Sequence, residues 1–252
     1  MDRIIRFTCP SYSGWGLLGG DMAYETSSLL SQDRGPAHPV EQVRLLAPCT
    51  PSKILGVGRN YHDHAKELGN PVPAEPLIFL KPPTTVIGPG DDIVYLPASA
   101  HISYEGELGV VIGKRAKNVR QEDADQYVLG YTCVNDVTAR DLQKKDGQWA
   151  RAKGFDTSCP VGPVIVRRED IARHDLRIRT YVDGELRQDG VVSDMIFSVD
   201  AIICYISQFM TLEAGDLIAT GTPAGVGAIQ PGSVVKVEIE GIGVLENRLI
   251  RV

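Results

Sequence analysis

The sequence predicts an α+β fold that is rich in β-strands and has few, short helices. Apolar or alternating runs of about five to eight residues recur along the 252-residue chain, and Gly, Pro, Asn or Asp separate them. The clearest amphipathic helix is "VDAIICYISQFM", which carries the apolar spacing of a helix face. Because long helices do not alternate with the strands, the pattern argues against a doubly wound parallel sheet.

The first 50 residues are only weakly patterned. "IIRFTC" and "GWGLLGGDMAY" predict a small β unit with glycine turns, and the polar segment "SQDRGPAHPVEQV" predicts a connector. From residue 53 the strand pattern becomes more regular. We therefore expect a small N-terminal β region and connector over residues 1–50, and a main domain over residues 51–252.

The main domain is predicted to consist of strands joined by tight turns. The predicted strands are "KILGVG", "LIFLK", "IVYLP", "GELGVVIG", "YVLGYTCVNDVTA" and the two halves of "SVVKVEIEGIGVLENRLIRV". Short helices are predicted for "YHDHAKELG", which "GNP" (69–71) would stop, for the polar "RQEDADQY" and for "ARDLQKKD". Asp183-Gly184 predicts a hairpin, and Ser198 is the predicted cap of the longest helix.

Charge and hydropathy limit the partners of this chain. The net charge of −6 argues against broad nucleic-acid binding, because contact with a phosphate backbone needs a basic surface. The longest apolar stretches, such as "AIICYI" (201–206), fall well short of the roughly 20 residues of a membrane span. The start "MDRIIRF" lacks the apolar region of a signal peptide. We expect a cytoplasmic protein that binds neither nucleic acid nor a membrane.

Several common functional motifs are absent from the sequence. The five cysteines are widely spaced and include no C-x-x-C pair, so reduced thiols are expected rather than a zinc site or a disulfide framework. There is no phosphate-binding G-x-x-x-x-G-K-[ST], no H-E-x-x-H and no G-x-S-x-G. "GVGRN" (56–60) has too few glycines for a dinucleotide fingerprint and predicts a turn at the end of a strand.

The stretch "SYEGELGVVIG" (103–113) places Glu105 and Glu107 two residues apart beside an apolar run. In a strand, residues i and i+2 lie on the same face, about 6–7 Å apart at Cα. Two carboxylates in that arrangement repel each other unless a cation, a proton or solvent separates them. An exposed strand face is the alternative interpretation, but the apolar residues 108–112 predict that part of this strand is buried.

A third carboxylate, Asp136 in "CVNDVT", lies in another probable central strand, where an unpaired charge is costly. Backbone donors alone would also satisfy it. Three carboxylates without a His or Cys partner favour a hard divalent cation, namely Mg²⁺, Mn²⁺ or Ca²⁺. Because three protein oxygens leave coordination positions of Mg²⁺ open, such a site has a catalytic character.

Five segments together resemble the fumarylacetoacetate hydrolase family. They are "GRNYHDHAKE" (58–67), "YEGELGVVIG" (104–113), "GYTCVNDVTARDLQ" (130–143), "AKGFDTSCPVGP" (152–163) and "GTPAGVG" (221–227). The resemblance runs in order from about residue 53 to the C-terminus, and it identifies residues 51–252 as a catalytic domain of this type. It implies a mixed β-sandwich roll with few short helices, and it implies a homodimer.

The resemblance also assigns roles to particular residues. It implies that Glu105, Glu107 and Asp136 bind Mg²⁺ or Mn²⁺. It implies that Lys153 contacts the substrate or a metal-bound water, and that the loop Gly221-Thr222 holds the substrate carboxylate. For Lys153, the alternative is an ordinary surface lysine.

A His–Glu dyad on a short lid helix matches His64 and Glu67. These residues are i and i+3, hence neighbours on one helix face, and a carboxylate beside an imidazole fixes its tautomer. The alternative is a solvated surface pair. Arg59 and Tyr61 flank the lid and are further substrate-binding candidates. Gln143, on the helix after Asp136, would reach the substrate or lie on a solvated helix face.

These implied roles predict a metal-dependent enzyme that acts on a small 2-oxo or 2-hydroxy-dienoic acid through an enolate. The preferred reaction is C–C bond hydrolysis of an acylpyruvate-type substrate, in which His64, oriented by Glu67, activates water. Oxaloacetate decarboxylation and isomerisation of 2-hydroxyhepta-2,4-diene-1,7-dioate are alternatives at the same site, because all of them need a stabilised enolate. A non-catalytic, metal-stabilised binding protein or a Ca²⁺-stabilised structural domain would use the same carboxylates.

Overall fold

The computed structural model describes residues 2–67, 69 and 71–252. The strands are β1 (Arg3–Cys9), β2 (Tyr12–Gly19), β3 (Met22–Glu25), β4 (Ala37–Pro39), β5 (Arg44–Leu46), β6 (Ile54–Gly58), β7 (Leu77–Lys81), β8 (Val86–Ile87), β9 (Asp92–Val94), β10 (Ile102–Ser103), β11 (Gly106–Ile112), β12 (Val128–Asn135), β13 (Thr138–Ala139), β14 (Cys159–Arg167), β15 (Arg177–Val182), β16 (Glu185–Val191), β17 (Leu217–Ala219), β18 (Ala228–Ile229), β19 (Val234–Ile239) and β20 (Gly243–Ile250). The helices are α1 (His62–Glu67), α2 (Arg140–Asp146), α3 (Ala150–Lys153) and α4 (Val199–Phe209).

The largest sheet has the strand order β4-β3-β2-β1-β14-β12-β11-β17-β6-β7, with β5 added beside β1 and β8 beside β14. Its central strands β11 and β12 are buried along their whole length, as their continuous apolar sequence predicts. Side chains on the two faces of β11 enter different apolar clusters, Val110 in one and Val111 in the other. Both faces of the sheet are therefore covered, which fixes the register of the strands that carry the acidic residues.

One face of this sheet packs against a second sheet of five strands, ordered β16-β15-β19-β20-β9. Helix α4 completes the cluster with Ile202, Ile203 and Ile206. Its first turn is capped by Ser198, whose Oγ accepts a hydrogen bond from the Ala201 N–H at 3.2 Å. The result is a β-rich sandwich with few helices, which confirms the predicted fold class.

Several local predictions are confirmed, and one is wrong. Asp183 and Gly184 both have positive φ, at 51° and 86°, as the turn of the β15–β16 hairpin requires. The polar segment "RQEDADQY" does not form an α-helix but a 3₁₀ helix over Gln121–Tyr127. It buries only Ala124, so it lacks the apolar stripe that would stabilise an α-helix.

The structure tests two other predictions, the end of α1 and the N-terminal β region, only in part. The predicted stop of α1 at 69–71 includes Asn70, which lies outside the described residues. The N-terminal β region joins the large sheet, because β1 pairs with β14 through Ile4 and Ile165. The division of the chain at residue 50 stays a prediction. No helix in the described part of the chain is long and apolar enough to cross a membrane.

The strand directions bring four chain segments to one edge of the large sheet. β11 runs antiparallel to β12, with Gly106 opposite Asn135, so the start of β11 meets the end of β12. β17 is antiparallel to β11 and parallel to β6, so the ends of β17 and β6 reach the same edge. The loop after β17 and helix α1 after β6 therefore lie beside the acidic strand.

Candidate metal and substrate site

Three carboxylates meet at this edge of the sheet. Glu105 immediately precedes β11, Glu107 is its second residue, and Asp136 directly follows β12. One oxygen from each lies within 4.8 Å of the others, and all three residues are buried. The alternation of β11 and the register with β12 thus produce the cluster that the E-x-E spacing predicts.

Two of these carboxylates are already paired with buried cations. The ammonium of Lys153 contacts Glu105 Oε2 at 2.7 Å and also donates to Asp136 Oδ2. The guanidinium of Arg140 lies 2.5 Å from Glu105 Oε1. Burial alone would raise the pKa of Glu105, but Arg140 and Lys153 outweigh it and hold that pKa below its usual range.

A further lysine fixes Asp136 from the other side. Lys81 Nζ donates to Asp136 Oδ1 at 2.6 Å, to the Ser158 carbonyl at 3.0 Å and to Ser158 Oγ at 3.2 Å. All three ammonium hydrogens of this fully buried side chain have acceptors, so it is held in one position.

Glu107 differs from the other two carboxylates. It is 2% exposed, and none of the ion pairs in the described part of the chain includes it. Its Oε2 accepts a hydrogen bond from the Gly221 N–H at 2.9 Å. Burial raises the pKa of Glu107 well above its usual range, and the charges of Asp136 and Glu105 add to the rise.

The carboxylate cluster fits a divalent cation. Three buried carboxylate oxygens lie within 4.8 Å of one another, and Glu107, whose pKa is raised, has no cationic partner among the described residues. The donor set contains oxygen and no nitrogen or sulfur, which favours hard ions. The arrangement therefore supports a divalent metal site formed by Glu105, Glu107 and Asp136.

Helix α1 places a histidine beside this cluster. His64 is 4% exposed, whereas Glu67 on the same helix is exposed. The two side chains approach at 3.3 Å, between Nδ1 and Oε2. Burial lowers the pKa of His64 and outweighs the opposing effect of Glu105, so the imidazole is neutral at pH 7. With Nδ1–H donating to Glu67, Nε2 keeps a free lone pair.

The Glu67 carboxylate also ties the helix to the loop after β17. Its two oxygens accept from the Gly225 N–H at 3.1 and 3.2 Å. The same loop is held by Tyr104, whose hydroxyl donates to the Gly225 carbonyl at 2.7 Å. The position of His64 is thus coupled to the loop for which the family resemblance implies substrate binding.

A cavity of about 860 Å³ connects these groups. Its lining includes Glu105, Glu107, Lys153, His64 and Glu67. Of the predicted substrate-binding residues, Arg59, Gln143 and Thr222 also line it. The volume is in the range of small-molecule sites, and the apolar part of the wall comes from β7 and Trp149.

Two predicted substrate contacts are placed differently. The Gly221 N–H is engaged by Glu107, and the residue has a φ of +99° with space for no Cβ, which would lie 2.7 Å from Asn60 Cβ. Tyr61 is buried, does not line the cavity, and its hydroxyl has no partner among the described residues. Substrate binding by either residue stays a prediction.

Neither Lys81 nor Arg140 was assigned to the carboxylate cluster from the sequence. Lys81 ends a strand before Pro82-Pro83, where a lysine usually indicates an exposed strand end. Arg140 begins α2 but is buried against Glu105 and donates to Gln143 Oε1 at 3.1 Å. The sequence predicts more buried carboxylates than it assigns cations to balance them, and this imbalance was the signal that could have pointed to both residues.

Comparison with known proteins adds the family context. The family described as "Fumarylacetoacetate (FAA) hydrolase C-terminal" matches residues 53–250. Oxaloacetate tautomerase YisK of Bacillus subtilis is 46% identical over 225 residues, covering 84% of this chain and 75% of that protein.

Solved structures agree with this match. The crystal structure of 2-hydroxyhepta-2,4-diene-1,7-dioate isomerase from Mycobacterium marinum superimposes with a TM-score of 0.92 at 43% identity, covering 100% of this chain and 99% of that chain. Fumarylpyruvate hydrolase from Pseudomonas aeruginosa, in complex with Mn²⁺ and pyruvate, has a TM-score of 0.76 at 34% identity, covering 83% of this chain and 92% of that chain.

Proposed function

The chain belongs to the fumarylacetoacetate hydrolase family, and within it we propose a divalent-metal-dependent tautomerase or isomerase of a small 2-oxo acid, with oxaloacetate as the preferred candidate. The names of the relatives favour this reaction over the acylpyruvate hydrolysis that the sequence favours, because a tautomerase and an isomerase resemble this chain more closely than the fumarylpyruvate hydrolase does. Mg²⁺ or Mn²⁺ is the proposed metal, and Mn²⁺ occurs in the hydrolase structure.

The observation that carries the proposal is the juxtaposition of a buried neutral base with a buried cation. His64, with Nε2 free, lines the same cavity as Lys153, Glu105 and Glu107. The described residues that line this cavity include no Ser or Cys that would serve as a nucleophile. Proton transfer next to a carbonyl is the chemistry that such a set performs best.

In the proposed reaction, His64 Nε2 removes a proton from C3 of the 2-oxo acid. The electrons of the C3–H bond move into the C2–C3 bond, and negative charge develops on the 2-oxo oxygen. Glu67, bonded to Nδ1, stabilises the imidazolium that results. The proton then passes from Nε2 to that oxygen, which yields the enol, and the reverse sequence regenerates the ketone.

Lys153 would stabilise the developing oxyanion. Two of its three N–H groups contact Glu105 and Asp136, so one remains for the substrate oxygen. Burial disfavours its charged form, but Asp136 and Glu105 raise its pKa above the usual value. The ammonium therefore keeps its proton while it donates a hydrogen bond.

A divalent cation bound by Glu105, Glu107 and Asp136 would supply Lewis acidity at the 2-oxo group, and together with the surrounding lysines and arginine it would outweigh the charge of the three carboxylates. The protein's own contribution is a rigid set of charges. Arg140, Lys81 and Lys153 hold the carboxylate oxygens in place from separate directions. Such preorganisation avoids the reorganisation cost that water would require.

Hydrolysis of an acylpyruvate is the second candidate. The His64–Glu67 pair would serve it by activating a water molecule, and the P. aeruginosa hydrolase is a relative with that type of activity in its name. Oxaloacetate decarboxylation would need the same electron sink but no base at Nε2. These reactions differ in their dependence on His64.

The test is a comparison of three reactions with the metal-loaded protein. Oxaloacetate enol–ketone conversion is followed by ultraviolet absorbance, and decarboxylation and acylpyruvate cleavage are followed by NMR. We expect tautomerisation to be the fastest and to require added Mg²⁺ or Mn²⁺. A protein that cleaves acetylpyruvate with a higher kcat/KM than it tautomerises oxaloacetate would refute the assignment in favour of hydrolysis.

A further inference from the structure

The basic side chains that line the cavity fall into two groups. Arg140 and Lys153 are held by Glu105. Arg59 and Lys144 also line the cavity, but within the described part of the chain neither makes an ion pair or a side-chain hydrogen bond. These two cations have no role in neutralising the carboxylate cluster and are available to an anionic ligand.

Arg59 is held in an unusual backbone conformation. It lies between β6 and α1 with a φ of +57°, in the left-handed region that a non-glycine residue seldom adopts. Such strain persists only where neighbouring contacts over-determine the backbone, and it concentrates at functional sites. The next residue supplies those contacts.

Asn60 anchors the chain directly beside Arg59. Its side-chain amide donates to the Thr220 carbonyl at 2.7 Å and to the Phe197 carbonyl at 3.0 Å. Its Oδ1 accepts from the Phe197 N–H at 2.8 Å, and its own carbonyl accepts from the Ile196 N–H at 2.9 Å. Arg59 is therefore attached to a fixed point rather than to a mobile loop.

Arg59 borders both the cavity and an adjoining cleft of about 590 Å³. The two spaces share the β7 residues Leu77, Ile78 and Phe79, which are apolar. A ligand bound at the carboxylate cluster would therefore share its cavity with an apolar wall and with one half-buried guanidinium, that of Arg59, which has no partner among the described residues. An apolar wall that ends at an unpaired cation fits a short chain with an anionic end.

We propose that Arg59 binds the second carboxylate of a dicarboxylic 2-oxo acid and thereby sets substrate specificity. The proposal rests on the proposed function, which supplies the first carboxylate at the metal end. A guanidinium matches a carboxylate with two parallel N–H donors, whereas the ammonium of Lys144 is a hydrated point charge on an exposed helix position. Arg59 is therefore the residue that the geometry favours.

The test compares oxaloacetate with its C4 methyl ester, which lacks only the second charge. For the wild type, kcat/KM should be higher for oxaloacetate. Arg59→Gln should lower kcat/KM for oxaloacetate about 10- to 100-fold, mainly through KM, the size expected for a charged hydrogen bond. The same variant should leave the ester within about threefold. Arg59→Lys should show a smaller loss, because lysine keeps the positive charge but not the two parallel N–H donors of the guanidinium.

Two further variants serve as controls. Lys145→Gln removes the same charge from an exposed position of α2 that does not line the cavity, and it should leave both substrates unchanged. Equal losses on oxaloacetate and ester for Arg59→Gln, or no loss on either, would overturn the proposal. The proposal would also fail if Lys144→Gln, rather than Arg59→Gln, removed the preference for oxaloacetate.

A binding experiment separates this proposal from the proposed function. Calorimetry with malate and 2-hydroxybutanoate, on the Mg²⁺-loaded protein, compares two unreactive acids that differ in the second carboxylate. Tighter binding of malate that disappears in Arg59→Gln would support the role of Arg59 even if oxaloacetate were not turned over. No preference for malate in the wild type would overturn that role even if oxaloacetate were a substrate.

Discussion

Neutralising the two glutamates of the E-x-E pair should change the stability of the metal-free protein in opposite directions. Glu107 has no cationic partner among the described residues and its pKa is raised, so Glu107→Gln removes a buried carboxyl that the metal-free fold must either protonate or keep charged at a cost. Glu105 is paired with Arg140 and Lys153, so Glu105→Gln leaves two buried cations with less compensation. Both variants should lose divalent-cation binding, since each removes one anionic oxygen donor.

The structure gives the magnitude. Two carboxylate charges at 4.8 Å, the upper limit of the spacing in this cluster, would repel by about 3.5 kcal/mol at an effective dielectric constant of about 20. The lysines and the arginine around Glu105 and Asp136 cancel part of this repulsion on Glu107. We therefore expect Glu107→Gln to raise the free energy of unfolding by about 1–3 kcal/mol, with each kcal/mol moving Tm by about 2–4 °C. Glu105→Gln should lower it by about 3–5 kcal/mol, as breaking a buried ion pair does.

Thermal unfolding in EDTA, repeated with excess Mg²⁺, measures these effects. Mg²⁺ should raise the Tm of the wild type and should leave the Tm of either variant unchanged. Glu122→Gln, on an exposed side chain, is the matched control and should behave as the wild type does. A metal-free Glu107→Gln protein that unfolds below the wild type would refute the reasoning, as would Mg²⁺ affinity equal to that of the wild type in either buried variant.

Three other outcomes follow from the same contacts. His64→Ala should reduce the rate of tautomerisation about 10²–10⁴-fold. The kcat/KM of the wild type should fall with decreasing pH, at a midpoint below the usual pKa of histidine, because burial lowers the pKa of His64 and the neutral imidazole is the base. A kcat/KM that stays constant at acidic pH would contradict this role. Lys81→Met should lower the free energy of unfolding, measured by chemical denaturation, by about 3–5 kcal/mol. Lys236→Met removes a lysine from an exposed ion pair and should lower it by less than about 1 kcal/mol. Equal losses in the two variants would contradict the role of Lys81. Leu80 is exposed on the edge strand β7, so we expect a two-fold homodimer that covers this edge. Leu80→Asp should weaken the dimer. Light scattering that gives the monomer mass for the wild type at micromolar concentration would reject the prediction.

The acidic cluster was predictable from sequence because its members obey short-range rules. Glu105 and Glu107 are related by the two-residue period of a strand, and the apolar run that follows them predicts burial. Asp136 was identified by the cost of a charge inside a predicted apolar strand, and the structure places it directly after β12. Each residue could be singled out without knowing which strands are neighbours, whereas the meeting of Asp136 with the two glutamates depends on the pairing of β11 with β12.

The cations that balance the cluster were not predictable in the same way. Lys81 and Asp136 are 55 residues apart, and Lys153 and Glu105 are 48 apart, so their contacts depend on the sheet order. Lys81 ends an edge strand, a position in which a lysine is ordinarily solvated. Only the three-dimensional arrangement distinguishes a lysine that neutralises a buried aspartate from one that protects a strand edge.

The N-terminal region illustrates the same limit for strand pairing. The sequence predicts a small β unit in this region, and β1 and β2 form an antiparallel pair there with Arg3 opposite Leu18. The second partner of β1 is β14, far away along the chain, and no local signal specifies that pairing. Sequence patterns therefore predicted the elements of residues 1–50 better than their attachment.

With the proposed roles, one set of residues would serve any of the reactions for which the relatives are named. Tautomerisation, isomerisation and hydrolysis all need a base beside a stabilised enolate, and His64 with Lys153 would meet that need in each case. The reactions differ in what lies next to Nε2 of His64: a C–H bond for tautomerisation, or a water molecule for hydrolysis. That difference depends on where the far end of the substrate is held. If Arg59 holds a second carboxylate, it fixes the position of C3 relative to His64, and the choice of reaction would then follow from a residue that takes no part in the proton transfer.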